Sequence, residues 1–143
     1  MPYEIIWEPR CVTRRFHGRV TGQEIVATLR EVGGDSRFDE LLGTLVDYLD
    51  AATLEVSEED AAMIVALQIG CAFTNHRQVA AVVAADPRIV QTLGALVAQY
   101  KAPLEVSFHP TLGAARDWLA ARGALDPSSP DRPAAEEATG PAA

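Results

Sequence analysis

The spacing of apolar residues changes period several times along the chain, and each change predicts an element. Ile5 and Trp7 open the first run, which ends in a Glu8-Pro9-Arg10 turn. Beyond the turn, Val12, Phe16 and Val20 share one parity, whereas Thr13, Arg15, His17 and Arg19 share the other. A period of two predicts an antiparallel hairpin with one buried face. Arg14 falls on the apolar parity, which points to a bulge or an edge position there.

Helical spacing follows. Thr21-Gly22-Gln23-Glu24 fits a capping box, in which the threonine accepts from the amide three residues on and the glutamate reaches back. Ile25, Leu29 and Val32 then recur at helical intervals until Gly33-Gly34 ends the turn. Residues 45–49 read as a strand. Ser57 followed by Glu58, Glu59 and Asp60 marks a second helix start, because the helix macrodipole favours negative charge in its first turn. The unbroken apolar run 79–84 fits a strand covered on both faces. Asp86-Pro87 supplies a cap and a first-turn proline for a third helix. Residues 104–108 form the last strand and 111–122 the last helix, stopped by Gly123. The order ββαβαβαβα predicts a mixed α/β fold, a mostly parallel sheet with an antiparallel N-terminal hairpin.

Composition bounds what such a fold does. The chain has 143 residues, 12 Lys+Arg against 20 Asp+Glu, and a net charge of −8. That length suits one domain, and an acidic chain repels polyanions, so no nucleic-acid partner is expected. From residue 123 the chain turns rich in Pro and Ala with one large aliphatic, Leu125. The folded unit is therefore placed at 1–122 and a disordered tail at 123–143. Lys101 is the only lysine; the preference for Arg and Ala fits a GC-rich bacterial genome. With no run of about 18 apolar residues, membrane insertion is not expected. The start, Met1-Pro2-Tyr3-Glu4, lacks a signal-peptide pattern, which points to the cytoplasm. Cys11 and Cys71 are too few for a disulfide scaffold and lack metal-ligand spacing.

Three stretches carry a likeness to a known family: YEIIWEPRCVTRRFHGRVTGQE, LVDYLDAATLEVSEED, and Phe108-His109-Pro110-Thr111-Leu112 leading to Ala115 and Trp118-Leu119. With the element order, they resemble the STAS domain, the fold of SpoIIAA-type anti-sigma factor antagonists, and within it the SpoIIAA-like group of small bacterial proteins. The resemblance covers 3–122. It implies a non-catalytic switch or binding module with a protein partner and no cofactor. In the antagonists a serine or threonine just after an aspartate, at the start of the second helix, is phosphorylated. Here Asp50 is followed by Ala51-Ala52, so that acceptor is absent; Thr53 and Ser57 are nearby hydroxyls that do not match the motif.

Candidate chemistry falls into three groups. Ligands of open α/β sheets gather at the carboxyl ends of parallel strands. That rim is expected to carry Asp47 and Asp50 after one strand, Asp86 after the next and His109 after the last, with Thr53 and Ser57 in a loop between them. Such residues bind a ligand or partner, or serve an enzyme as acid and base; each also has a plain role in capping or turns. Arg15, His17 and Arg19, with Arg10 and Arg14, form a basic cluster suited to an anion, or to ion pairs with Glu4 and Glu8. The third group is the helix 57–73, in which Gln68 is the only polar residue after Asp60. A helix apolar all round is buried on more than one side, and the sheet covers one. Met63, Ile64, Leu67, Ile69 and Phe73 are thus interface candidates. A second copy of the chain is the favoured cover, ahead of another regulatory protein or a small apolar ligand; the alternative function is a small-molecule or lipid-binding domain with an apolar cavity around the second and third helices. No metal or catalytic residue is assigned, and an enzyme is not expected.

Overall fold

The computed structural model describes residues 3–126. Its first two strands, β1 (Tyr3–Glu8) and β2 (Cys11–Thr21), form the antiparallel hairpin, with Tyr3 opposite Phe16 and Glu8 opposite Cys11. Three crossovers follow: α1 (Gly22–Gly33) leads to β3 (Gly43–Glu55), α2 (Glu58–Thr74) to β4 (Val79–Val83), and α3 (Pro87–Val97) to β5 (Glu105–His109). The last helix among the described residues is α4 (Leu112–Ala121). A short 3-10 turn, Ser36–Glu40, precedes β3. The sheet runs β1-β2-β3-β4-β5, parallel from β2 onward. The predicted α/β fold, with its hairpin and element order, is therefore the fold observed.

Each helix starts where the sequence supplies a cap. Thr21 and Glu24 form the capping box of α1, and the side chains of Ser57, Asp86 and Thr111 each accept an amide hydrogen bond in the first turn of α2, α3 and α4. Because every parallel crossover steps to the next strand in the same direction, α1, α2 and α3 share one face of the sheet. There Phe16, Val46 and Val82 meet Leu29, Ile64 and Leu93. Helix α4 covers the other face, packing Leu112, Ala115 and Leu119 on Cys11, Leu45, Ala81 and Val83. Ala124 and Leu125 are buried in this second cluster, so packing continues past Arg122. The remainder of the tail, 127–143, lies outside the described residues.

Two expectations need correction. Strand β3 does not stop near Leu49; it continues to Glu55 because β2 is long enough to pair with it throughout. Beyond Asp47 the strand leaves β4 behind, and Ala51 to Glu55 lie beside Gly18 to Thr21. Register shifts between Arg15 and His17, and between Gly18 and Arg19, absorb the extra residues of β3. Gly18 has φ +63° at the second shift, a conformation that costs glycine little. Arg14 is accordingly neither a bulge nor an edge residue. It precedes both shifts, on an interior strand, and points into the protein with 6% exposure.

Gly43, the first residue of β3, lies where α4 and the segment after it close on the sheet. A Cβ there would sit 2.6 Å from Ala124 Cβ and 2.9 Å from a Leu119 methyl. Gly94, inside α3, has open space around it. Urea denaturation should show Gly43→Ala destabilised by about 1–3 kcal/mol through overpacking. Gly94→Ala should instead gain about 0.5–1 kcal/mol from helix propensity.

Candidate functional site

On the α4 side of the sheet the polar residues of β1, β2 and β3 line up across neighbouring strands. Arg15 is the register partner of both Glu4 and Asp47. Its Nε donates to Asp47 Oδ2 at 3.2 Å, and its Nη1 lies 3.7 Å from Glu4 Oε1. Asp47 also accepts the Leu49 amide at 2.9 Å. Burial raises the Asp47 pKa above the usual carboxylate value, although the amide and Arg15 oppose the rise. His17 stands between Glu4 and Asp50, at 3.7 and 3.8 Å, and exposed Arg19 faces Glu55 at 3.5 Å. The basic cluster is thus interleaved with carboxylates of its own sheet. Glu8, farther along the same face of β1, pairs with Arg116 of α4 through two hydrogen bonds of 3.1 Å, a buried fork that ties the edge strand to that helix.

The rim predicted from the sequence is not one site. Asp47 and Asp50 lie within β3 rather than past its end, and Thr53 is an exposed residue of the same strand, opposite Arg19. Ser57 Oγ accepts the Asp60 amide at 3.0 Å. Asp86 accepts the Arg88 amide at 2.9 Å, and that bond, ahead of the Arg88 side chain, lowers its pKa. His109 ends β5 with its ring 5.7 Å from that of Trp118, and burial, then the Arg122 charge, lower its pKa. Asp47 and Asp50 are brought beside basic residues of the neighbouring strand β2, whereas Asp86 pairs with Arg88 of its own helix. Among the described residues no group of three or more His, Cys, Asp or Glu side chains is arranged to hold a metal ion. The thiols are equally unsuited to chemistry: burial, then the Glu8 charge, pushes Cys11 up to about 12, and burial also raises Cys71.

Helix α2 divides the interface candidates. Ile64 is 1% exposed and belongs to the core, with Ala72 beside it on the inner face. That position leaves Ile64 no surface to offer. Leu67 and Ile69 are half-buried. Phe73 is 65% exposed and Met63 42%; Ala66 and Gly70 lie exposed between them, and exposed Ala62 precedes Met63. Arg30 of α1 reaches over to place Nη2 3.7 Å from Met63 Sδ. The outer face is therefore a strip of small residues with a large apolar side chain toward each end. No helix among the described residues is long and apolar enough to cross a membrane.

Sequence reasoning missed the inward face of β2. Arg14, Tyr48 and Tyr100 meet beneath the helices, and the signal was available: a charged residue at an apolar parity is as consistent with a buried cation as with a bulge.

No family model matches the sequence, and no curated protein matches it either. Solved structures do share the fold. An uncharacterized protein of the DUF3478 family from Shewanella loihica PV-4, described as having a SpoIIAA-like fold, superposes with a TM-score of 0.53 at 18% identity, over 82% of this chain and 91% of that one. The anti-sigma factor antagonist SpoIIAA in its unphosphorylated form gives a TM-score of 0.50 at 11% identity, over 82% of this chain and 97% of that one. The chain thus has the SpoIIAA-like, or STAS, fold.

Two outcomes check this description of the polar residues. Asp47→Ala removes the carboxylate that accepts from the buried Arg15 Nε, so chemical denaturation should show a loss on the order of 3 kcal/mol. Iodoacetamide at neutral pH should leave Cys11 unmodified in the folded protein and alkylate it after unfolding, as read by intact mass.

Proposed function

We propose that the chain is a non-catalytic STAS-like binding module that acts through protein–protein contact and self-associates through the outer face of α2. The observation that carries this reading is the exposure of Phe73 and Met63 on one helix face with nothing but small residues between them. Water contact at two large apolar side chains is unfavourable; full burial from full exposure is worth about 1.5–3 kcal/mol each, and these partly covered side chains would gain a corresponding fraction. Ala62, Ala66 and Gly70 repeat every four residues. Their small side chains let a second helix approach along that ridge, and two copies related by a two-fold axis would each bury the other's phenylalanine. A different regulatory protein would use the same face in place of the second copy.

The fold supports a regulatory role of this general kind, since one structural neighbour is an anti-sigma factor antagonist. A switch by phosphorylation after Asp50 is not part of the reading. Ala51 and Ala52 follow that residue and lie in the β2–β3 ribbon, and the Ser57 hydroxyl is engaged at the α2 cap beside three acidic residues. An enzyme built on the aspartate and histidine rim is disfavoured by the separation of its members among caps, ion pairs and an aromatic contact.

Sedimentation equilibrium tests the proposal. The wild-type chain should show a concentration-dependent dimer, and Phe73→Glu should weaken it at least tenfold while leaving the thermal melt of dilute, monomeric protein unchanged, because the side chain is exposed in a single copy. A wild-type chain that stays monomeric at every concentration, or a variant that dimerises as before, would overturn self-association through α2.

A further inference from the structure

Helices α1, α2 and α3 do not close completely on the sheet. Between them lies a cavity of about 70 Å³ whose walls are mostly apolar, with Val82, Leu93 and Leu96 among them. One side chain in the wall is charged: Arg14, on β2, is 6% exposed. Its Nη1 donates to Thr28 Oγ1 at 2.9 Å, and that hydroxyl in turn donates to the Ile25 carbonyl at 2.8 Å. A guanidinium has five N–H donors, and no carboxylate among the described residues pairs with this one. The groups whose fields reach it are the Tyr48 and Tyr100 hydroxyls and the Cys71 thiol. Burial raises the pKa of all three, which keeps them neutral at pH 7. The other buried arginines are placed differently: Arg15 faces Asp47, and Arg116 faces Glu8. Arg14 is a desolvated cation beside empty space, an arrangement that is unfavourable until an anion arrives.

We propose that this cavity binds a small monocarboxylate, the carboxylate paired with Arg14 and the short apolar group packed among Val82, Leu93 and Leu96. The planar guanidinium fork matches a carboxylate through two parallel hydrogen bonds. A single negative charge balances the site, whereas a phosphate dianion would leave one charge uncompensated among neutral phenols and aliphatic side chains. Size limits the ligand: 70 Å³, against roughly 30 Å³ for a water molecule in the liquid, restricts it to the shortest acids, with propionate at the upper end. Gln68, Tyr100 and Leu104 line the cavity while remaining half-buried, so the wall meets the surface between α2 and the segment that follows α3. The site does not depend on self-association, since Phe73 and Met63 take no part in its lining.

Methyl-detected NMR titration with sodium propionate tests the assignment, with propionamide as an uncharged isostere and inorganic phosphate as a competing anion. Propionate should move the Val82, Leu93 and Leu96 methyl resonances saturably; propionamide and phosphate should not. Arg14→Met, which removes an unpaired buried charge, should fold and weaken propionate binding at least tenfold. Leu93→Phe, which fills the cavity and leaves Arg14 in place, should weaken it as well. The proposal is overturned by no saturable shift with propionate, an equal response to propionamide, a response to phosphate in its place, or unchanged affinity in Arg14→Met. Should Arg14→Met not fold, the propionamide comparison and Leu93→Phe decide the matter.

Discussion

Parallel pairing of β2 with β3 is the constraint on which the rest of the molecule depends. The two strands stay together from Cys11 and Gly43 to Thr21 and Glu55, well past the end of β4. Their common end starts α1 and α2 side by side, close enough that a Cβ on Gly22 would lie 2.6 Å from Asp60 Cβ. Alternation along the same pair sorts its side chains. Arg15 and Asp47 go to the face of α4, whereas Arg14, Phe16, Val46 and Tyr48 go to the face of the other three helices. Phe16 and Tyr48 stack there with ring centroids 4.9 Å apart. One pairing thus generates an ion-paired ladder on one side and an aromatic, cation-bearing floor on the other.

Local signals carried most of the fold into view from the sequence. The caps at Thr21, Ser57 and Asp86 are short-range chemistry, legible from a few adjacent residues, and all three start helices in the structure. The length of β3 was not legible. Ala51, Ala52 and Thr53 have no strong strand pattern of their own, and they are extended because β2 offers them a partner. That one tertiary effect also dissolved the expected rim, since it moved Asp50 and Thr53 from a loop into a strand. His109 and Asp86 remained where the pattern put them, but each is occupied locally, by Trp118 and by Arg88.

The basic cluster shows the same limit from another direction. Spacing alone groups Arg14, Arg15, His17 and Arg19, but strand alternation separates Arg14 from the other three. Which acids then meet Arg15 and His17 is decided by register, a property of two strands that neither reveals alone. The peculiarity of helix α2 is compositional: a helix with so few polar residues has no obvious outside. The structure resolves this into an inner face of Ile64 and Ala72 and an outer face where alanine and glycine make water contact tolerable. Phe73 is the residue such tolerance does not explain.

The Glu8–Arg116 fork has a consequence for the life history of the chain. Its partners are 108 positions apart, so during synthesis the acid near the start emerges long before the base that will neutralise it. Until α4 has been made, the hairpin carries a solitary carboxylate that wants water, and the first strand has reason to stay loosely attached. Locking of the first strand through this pair therefore waits until α4 has been made.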